Sequence, residues 1–418
     1  MFQRRVPEWL RHAPTPGVRG FAGLSAVESM ARGILTSVFP LAMYRTLSDA
    51  QTVSEVYLVV GIISLFAALF TPWLTRFIAR RHLYVSAIMV MIIGNLCAAS
   101  GGTLLVPLGL IANTIAVVVL SVCFNAYVMD YIERSSLGQS ETLRLFYSGA
   151  AWTIGPFFGV WLMNIWPPAP FVVSIVSCIV LLLVFLYLRL GNGKIITRAR
   201  GITANPLGYI PRFLAQPRLI VGWTFAVIRS CGWWVYVVYL PIYAVEQGFS
   251  ESLGGFALSV SNGLLFLTPF MLRWMQSHSV RLAVVCGFFG SGLAFAATAL
   301  LSDIPTVVIA LLMLGSAFLI LLDISAGLPF LMAVKPSERT EMSAVYSTFR
   351  DTSGVLTPAA ARVVLAFGPL VVVFAVSGLA LVGCGWLALK LHPRLGKRRG
   401  LIGSDDLHTE LPSTQSGD

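Results

Sequence analysis

Seven ionisable side chains interrupt the long apolar stretches of this sequence. They are Glu28, Arg32, Arg229, Asp323, Arg350, Asp351 and Arg362. A charge at the centre of a bilayer costs about 2.5 to 3.5 kcal/mol on insertion scales, so such residues normally face a hydrated cavity. In a cavity, carboxylates can bind and release protons, and guanidinium groups can bind anions.

Glu28 and Arg32 are four residues apart, which places both side chains on one face of a helix. Two interpretations of this pair are open. Either the two charges neutralise each other, or Glu28 is a proton-coupling site whose proton affinity responds to Arg32 and to a bound substrate.

Arg229, Trp233 and Tyr236 share one face of a predicted helix. A guanidinium beside two aromatic rings suits a planar or anionic organic group, through stacking and charge-assisted hydrogen bonds. These three residues are therefore substrate-binding candidates. The alternative is that a carboxylate across the interface between two halves of the protein holds Arg229.

Asp323 and Arg350 fall at similar depth in their predicted helices, and we expect them to pair directly or through water. Such a pair is either structural or breaks and re-forms as the protein changes conformation. Asp351 lies about 100° around the helix from Arg350, so we expect it to face another helix or a gate. Asp323 and Asp351 are proton-coupling candidates, and Arg32 and Arg350 are substrate-binding candidates. Arg362 is expected to extend toward the membrane surface.

Neutral residues within the apolar stretches complete the set of substrate-binding candidates. They are Asn113, Asn125, Tyr147, Trp152, Asn262 and Tyr346. Hydrogen bonding between helices explains an asparagine in a membrane equally well, so both interpretations stay open for the asparagines.

Membrane helices are the elements that must position these residues. The chain has 418 residues, of which 57% are hydrophobic and 11% charged, whereas a soluble domain typically has about 25% charged residues. Apolar stretches of about twenty residues, enough to cross a bilayer, recur from end to end. We predict an all-α polytopic membrane protein with twelve transmembrane helices, at 21–44, 53–75, 83–101, 104–130, 141–164, 169–189, 219–245, 253–275, 281–301, 304–332, 342–366 and 369–390.

The basic residues predict the topology. Of the 29 Lys and Arg residues, Arg45 alone falls in an outside loop, four lie within helices, and the others fall in alternate loops and the termini. Basic residues concentrate on the cytoplasmic side of membrane proteins. We therefore predict cytoplasmic N and C termini, and we attribute the net charge of +11 to topology rather than to nucleic-acid binding.

The two halves of the chain resemble each other. Thr71-Pro72 recurs as Thr268-Pro269, and Arg32 recurs as Arg229, both at a separation of 197 residues. Parallel repeats of this kind occur in transporters whose halves are related by a pseudo-two-fold axis along the membrane normal. The predicted organisation is a cytoplasmic segment (1–20), a six-helix bundle (21–190), a basic linker (191–218), a second six-helix bundle (219–391) and a disordered tail (392–418).

Motifs of enzymes and cofactor sites are missing from the sequence. It has no P-loop for ATP and no metalloprotease or nucleophile-elbow motif. All six cysteines fall within apolar stretches and lack metal-ligand spacing. We therefore expect no enzyme activity, no metal, no cofactor and no disulfide.

The segment Pro72–Arg81 resembles the signature G-x-L-x-D-R-x-G-R-R, which lies between the second and third helices of the major facilitator superfamily. Leu74, Arg80 and Arg81 match the signature, and Arg76 replaces its aspartate. Two sets of six helices joined by a basic loop extend the resemblance along essentially the whole chain. The resemblance implies a gate at Arg76, Arg80 and Arg81.

A second segment, Ala151–Val160, resembles the antiporter signature G-x-x-x-G-P-x-x-G-G of the fifth helix. Gly155, Pro156 and Gly159 match it. By resemblance, the motif favours an exporter that exchanges its substrate for protons. The alternative is a tight helix-packing site, because glycine lets helices approach closely and proline bends a helix.

The resemblance implies a secondary active transporter that works by alternating access. The favoured activity is proton-coupled efflux of a small amphipathic organic compound, and the positive sum of the embedded charges favours an anionic group on it. The alternatives are an importer or facilitator of an organic anion or metal chelate, and a non-transporting receptor or assembly protein. We expect a monomer in the lipid bilayer of a bacterial inner (plasma) membrane, with a small molecule and protons as partners.

Overall fold

The structure is a computed structural model that describes residues 17–132, 137–188, 210–334, 342 and 345–391. The described chain is helical and has no strand. Its helices are α1 (Val18–Gly33), α2 (Val38–Leu47), α3 (Ala50–Phe77), α4 (Arg80–Ser100), α5 (Leu105–Tyr131), α6 (Leu137–Ile165), α7 (Ala169–Tyr187), α8 (Ile210–Leu214), α9 (Pro217–Glu246), α10 (Glu251–Gly263), α11 (Thr268–Ser277), α12 (Val280–Ala297), α13 (Pro305–Ser325), α14 (Leu328–Ala333), α15 (Phe349–Leu365) and α16 (Val371–Ala388).

Nine helical segments of the described chain are long and apolar enough to cross a membrane. They are α3, α4, α5, α7, α9, α10–α11, α12, α13–α14 and α16. The other three predicted helices correspond to α1–α2, which is interrupted, to α6, and to α15, which has 17 residues. Every predicted transmembrane helix thus has a counterpart in the structure.

The two Thr-Pro motifs have different local structures. Thr71-Pro72 lies within the continuous helix α3, where Thr71 Oγ1 donates to Ala67 O at 2.6 Å. Thr268-Pro269 instead begins α11, after a 3₁₀ turn at Leu264–Leu267. Proline fits the first turn of a helix because its missing N–H has no helical partner there. The repeat therefore keeps the sequence motif and changes the helix around it.

Helix packing divides the described chain into two halves. In the first half, α1 packs on α6 and α7, and α4 packs on α5 and α7. In the second half, α12 packs on α13 and α16, and α9 packs on α13, α15 and α16. Two long contacts join the halves, α3 with α15 and α6 with α10, and we call them the α3–α15 seam and the α6–α10 seam.

A chain of buried hydrogen bonds ties four helices of the first half together. Asn113 on α5 donates to Asn95 Oδ1 on α4 at 2.8 Å, and Asn95 donates to Ser174 Oγ on α7 at 2.9 Å. Ser174 Oγ in turn donates to the carbonyl of Ala31 on α1 at 2.8 Å. Each amide and hydroxyl of this chain is buried, so it can be accommodated only because it finds a partner.

The two ends of the molecule differ in charge. We call the end that carries Arg80, Arg81, Arg218 and Arg281, at the starts of α4, α9 and α12, the basic end. The opposite end, which holds the turns between α2 and α3 and between α9 and α10, is called the far end.

Candidate functional site

A cavity of about 1480 Å³ lies between the two halves. Its walls come from α1–α2, α3, α5 and α6 in the first half and from α8, α9 and α15 in the second. Apolar side chains form most of the lining, and α8 contributes Ile210, Phe213 and Leu214 at the basic end. A mostly apolar cleft with a few polar groups between two halves is the usual setting of a small-molecule site.

Contacts between the halves close the cavity at the far end. Ser54 Oγ on α3 and the Tyr239 hydroxyl on α9 lie 2.8 Å apart and are buried. Next to them, the rings of Tyr57 and Trp234 meet edge to face, with their centroids 6.2 Å apart. The residues that line the cavity therefore extend to the basic end, whereas contacts between the halves block the cavity at the far end.

An arginine network adds a second layer at the far end. Arg45 Nε donates to Glu251 Oε1 at 2.7 Å, and Arg45 Nη2 donates to Asn164 Oδ1 at 2.9 Å. Asn164 Nδ2 donates to Ser252 Oγ at 3.1 Å. Glu251 lies in the first turn of α10, where the helix dipole favours a negative charge. The network joins α2 and α6 to α10.

Arg362 forms an ion pair that the sequence did not predict. Its Nε lies 2.8 Å from Glu55 Oε1 on α3. The α3–α15 seam brings the two side chains together across the halves, and both stay nearly half exposed, at 47% and 44%. The partner of Arg362 is thus determined by the packing of α3 on α15 and not by the depth of Arg362 in its own helix.

Glu28 and Arg32 form the ion pair that their spacing allows. Arg32 Nη1 lies 3.2 Å from Glu28 Oε1, and the guanidinium lies 5.5 Å from the centre of the Trp152 ring. Arg32 lines the cavity, whereas the Glu28 side chain is buried behind it with 8% exposure. The arginine thus stands between this carboxylate and the cavity.

Asp323 pairs with Arg229, not with Arg350 as expected. Arg229 Nε lies 3.3 Å from Asp323 Oδ1, and Trp233 Nε1 donates to Asp323 Oδ2 at 3.0 Å. Arg229 and Trp233 are four residues apart on α9, so one helical face holds both oxygens of the carboxylate. The pair lies within the second half, so Arg229 is not held across the halves either. About a third of the Asp323 side chain, 34%, stays accessible.

The other predicted site residues divide into two groups. Arg350, Asp351, Asn113, Asn125, Trp152 and Trp233 line the cavity. Glu28, Asp323, Tyr147, Tyr236, Asn262 and Tyr346 do not belong to its lining. The Tyr236 hydroxyl lies 2.6 Å from Ser261 Oγ in a buried contact with α10, and the Tyr346 ring stacks on Phe330 at 3.9 Å.

The glycines and proline of α6 make close helix contacts. A Cβ atom on Gly155 would lie 2.6 Å from the carbonyl carbon of Gly33, and one on Gly159 would overlap the carbonyl of Ile34. Pro156 has no N–H, so the carbonyl of Trp152 loses its helical donor. Asn262 Nδ2 on α10 donates to that carbonyl at 2.8 Å. The packing role of this motif is thus visible in the structure.

The gate motif is only partly described. Arg80 and Arg81 begin α4 at the basic end, next to the end of α3. Arg76 lies on α3, and its side chain falls outside the described part of the chain.

Several residues that line the cavity were not among the predicted site residues. They include Thr36, Ser64, Ser121, Trp223, Ser230, Trp234 and the α8 residues. Trp223 lies ten residues before Trp233, about 80° from it around the helix, so the spacing of the two residues did not single it out. The hydroxyl residues carry no signal either, because serine and threonine are common within membrane helices.

A sequence model of the Major Facilitator Superfamily matches residues 21–268, more than half of the chain. The chain belongs to this superfamily. Membership and the apolar helices establish an integral multi-pass membrane protein with a transporter fold. No curated protein matches the chain in sequence.

Solved structures of superfamily proteins share this fold. The nucleoside transporter NupG has a TM-score of 0.67 at 13% identity, with 89% of this chain and 98% of that chain covered. A POT family transporter in complex with 5-aminolevulinic acid has a TM-score of 0.72 at 13% identity, with 91% and 96% covered. A bacterial homologue of the iron transporter ferroportin, in an inward-facing state, has a TM-score of 0.64 at 14% identity, with 89% and 98% covered.

These matches confirm the predicted fold class. A superfamily protein has twelve transmembrane helices in two six-helix bundles, and the described helices and their two seams fit that arrangement. At 12% to 14% identity the likeness to these structures extends to the fold alone.

Proposed function

We propose that this superfamily member is a secondary active transporter that exports a small amphipathic organic compound in exchange for protons. The observation that carries the proposal is the cavity between the halves, blocked at the far end and lined toward the basic end. By the positive-inside rule the basic end is cytoplasmic. The structure then corresponds to an inward-facing state, ready to load substrate from the cytoplasm.

The lining of the cavity favours an amphipathic substrate. Trp152 and Trp233 offer apolar surface, while Arg32, Arg229 and Arg350 place guanidinium groups in the cavity wall. A compound that is only polar would leave the aromatic surface hydrated. A compound that is only apolar would remove water from the arginines without replacing their hydrogen bonds.

Three carboxylates are the proposed proton sites. Asp323 is the strongest candidate, because its side chain is partly accessible and holds Arg229 and Trp233. Asp351 lines the cavity directly. Glu28 lies behind Arg32, so a proton reaches it only when that pair moves.

Co-transport of an organic anion with a proton is a second candidate, and the Arg229–Asp323 pair favours it. While Asp323 is ionised, its carboxylate occupies Arg229. A proton on Asp323 would release the guanidinium to an anionic substrate, so each would promote binding of the other. Coupling of this sign moves both in the same direction.

Transport by proteoliposomes under opposite proton gradients separates the two candidates. The probes are 2-naphthoate and 2-naphthamide, and the measured quantity is the probe recovered from the lumen. Exchange predicts accumulation when the lumen is acid, whereas co-transport predicts accumulation when the exterior is acid. Both predict that Asp323→Asn abolishes the dependence on the gradient.

Asp303→Asn is the matched control, because Asp303 lies in the turn between α12 and α13, away from the cavity. Equal luminal probe under both gradients and under none would refute proton coupling in either direction.

A further inference from the structure

Two of the three arginines that line the cavity are already held by carboxylates. Arg32 lies 3.2 Å from Glu28 on the same helix, and Arg229 lies 3.3 Å from Asp323 on the neighbouring helix. An anion that bound either guanidinium would first have to displace a protein carboxylate or share it with one. Both arginines therefore contribute little free charge to the cavity.

Arg350 is different from these two. It lines the same cavity, its side chain is exposed there, and no carboxylate of the described residues lies within ion-pair distance of it. Its neighbour Asp351 also lines the cavity, but it points about 100° away around α15 and makes no ion pair with Arg350. A guanidinium without a carboxylate, exposed in a cavity, leaves its donors available to a bound molecule.

An aromatic ring lies beside this guanidinium, and further aromatic rings line the same cavity. The centre of the Phe349 ring lies 5.6 Å from Arg350 Cζ and 5.4 Å from Arg229 Cζ, so one ring carries both cations. Trp223 lines the cavity beside this region, and its Nε1 donates to Thr348 Oγ1 at 3.2 Å. Trp233 lines it as well, fixed by its bond to Asp323. The site therefore combines the guanidinium of Arg350 with flat aromatic surfaces.

We infer that the substrate of the proposed transporter is an organic anion with a planar apolar body, whose carboxylate or sulfonate binds Arg350. That this ligand is transported rests on the proposed function. That it binds rests on the cavity alone. Arg350 forms charge-assisted hydrogen bonds to the anion, and Trp223 and Trp233 pack against the body. The ligand thus supplies Arg350 with the counter-charge that the described carboxylates do not supply.

Binding of three probes that share one body and differ in charge tests this inference. Isothermal titration calorimetry on the protein in nanodiscs compares 2-naphthoate, 2-naphthamide and 2-naphthylmethylammonium. We expect 2-naphthoate to bind about 10- to 100-fold more tightly than 2-naphthamide, the range of a charged hydrogen bond. Binding of 2-naphthylmethylammonium should be the weakest of the three.

Arg350→Gln should remove the preference for the anion and leave the affinity for 2-naphthamide within about twofold. Arg350→Lys keeps a charge without the planar fork, so it should keep part of the preference. Arg281→Gln is the matched control, since Arg281 donates to Leu389 O at the basic end, outside the cavity lining. An unchanged melting temperature for each variant shows that the fold is intact.

Four results would overturn the inference, and three of them concern the anion preference or binding itself. They are equal affinity for 2-naphthoate and 2-naphthamide, an anion preference that survives Arg350→Gln, or no binding of any naphthyl probe. Tightest binding of the ammonium would also overturn it and would point to Asp351. The proteoliposome assay is independent, because a protein can prefer the anion and still show no proton coupling.

Discussion

The two seams that join the halves share a glycine contact and differ in their polar contacts. On α3, a Cβ atom at Gly61 would overlap the carbonyl of Gly354 on α15. On α10, a Cβ atom at Gly255 would lie 2.8 Å from the carbonyl of Pro156 on α6. Backbone approaches backbone in both seams, as small residues allow in membrane proteins.

Hydrogen bonds run along the whole α6–α10 seam. Asn262 donates to the carbonyl of Trp152, the N–H of Phe157 donates to Ser259 Oγ at 2.9 Å, and Asn164 donates to Ser252 at the far end. The α3–α15 seam carries an exposed polar contact near the far end, the ion pair of Glu55 and Arg362.

The two seams, which the repeat relates to each other, are thus held by different kinds of contact. Directional hydrogen bonds hold the register of α6 against α10. Van der Waals contact at glycine holds α3 against α15 and permits sliding more readily. Substitutions in the two seams should therefore have unequal effects.

Gly61→Ala should destabilise the protein by about 2 to 3 kcal/mol, because the new methyl group meets backbone atoms that cannot turn aside. Gly354→Ala, on the other side of the same contact, should change the stability by less than about 0.5 kcal/mol. Its Cβ would find only Trp234 Cζ2, at 3.8 Å. Thermal unfolding of both variants checks the prediction, and equal melting temperatures would contradict it.

Asn262→Ala should destabilise the protein by about 1 to 3 kcal/mol, because the Trp152 carbonyl then has no donor. Pro156→Ala supplies an N–H at the helical position that bonds this carbonyl. The double variant should therefore be more stable than the sum of the single effects predicts, as a double-mutant cycle measures. Simple additivity would show that proline and asparagine are independent.

Arg45→Gln should weaken the far-end layer by about 1 to 2 kcal/mol, less than a buried charged hydrogen bond, because Arg45 is partly exposed. Since the layer closes the far end, the variant should open there more often. Spin labels near the ends of α2 and α10 report the distance distribution by electron resonance. Glu251→Gln, at the other end of the same pair, should shift the distribution in the same direction.

Asp49→Ala should cost about 1 kcal/mol, because Asp49 caps α3, the helix of the weaker seam. Its carboxylate accepts from the side chain of Thr52 at 2.6 Å and from the N–H of Thr52 at 2.8 Å. These hydrogen bonds hold the pKa of Asp49 below its usual value. Its stabilisation is therefore full above a pH of about 4, the pKa in the unfolded chain, and is lost as the pH falls through the lower folded-state pKa.

Unfolding measured from pH 7 to pH 3 checks this dependence. Asp49→Ser is the control, since serine also caps a helix and does not titrate in this range. A wild-type profile that matches the profile of Asp49→Ser would count against the ionised cap.

Arg362→Gln should have the smallest effect, at most about 0.5 kcal/mol, because an exposed ion pair contributes little. The effect should vanish at about 1 M salt, where charges are screened within about 3 Å. Loss of 2 kcal/mol or more would mean that the α3–α15 seam depends on this pair, and the asymmetry would disappear.

The sequence predicts much of the fold because membrane helices must be long and apolar. It also places Arg32, Arg229 and Arg350 at the cavity, since charges avoid lipid. The sequence could not identify the partner of Asp323, because the depth of a residue along its helix does not say which neighbouring helix its side chain faces. The burial of Tyr236 was not predicted for a related reason. Helix α9 packs on several helices, and a helical pattern does not say which of its faces meets the cavity.

The buried amide chain from Asn113 through Asn95 and Ser174 to Ala31 includes α1, α4, α5 and α7, but neither α3 nor α6. Hydrogen bonds thus connect four helices of the first half into one block. The two helices that form the seams with the other half, α3 and α6, are not part of this block. Amide hydrogens of the block should exchange with solvent slowly and together, and those of α3 and α6 should exchange earlier. During a conformational change, the four helices of the block would then move as one rigid body, and α3 and α6 would adjust their positions relative to it.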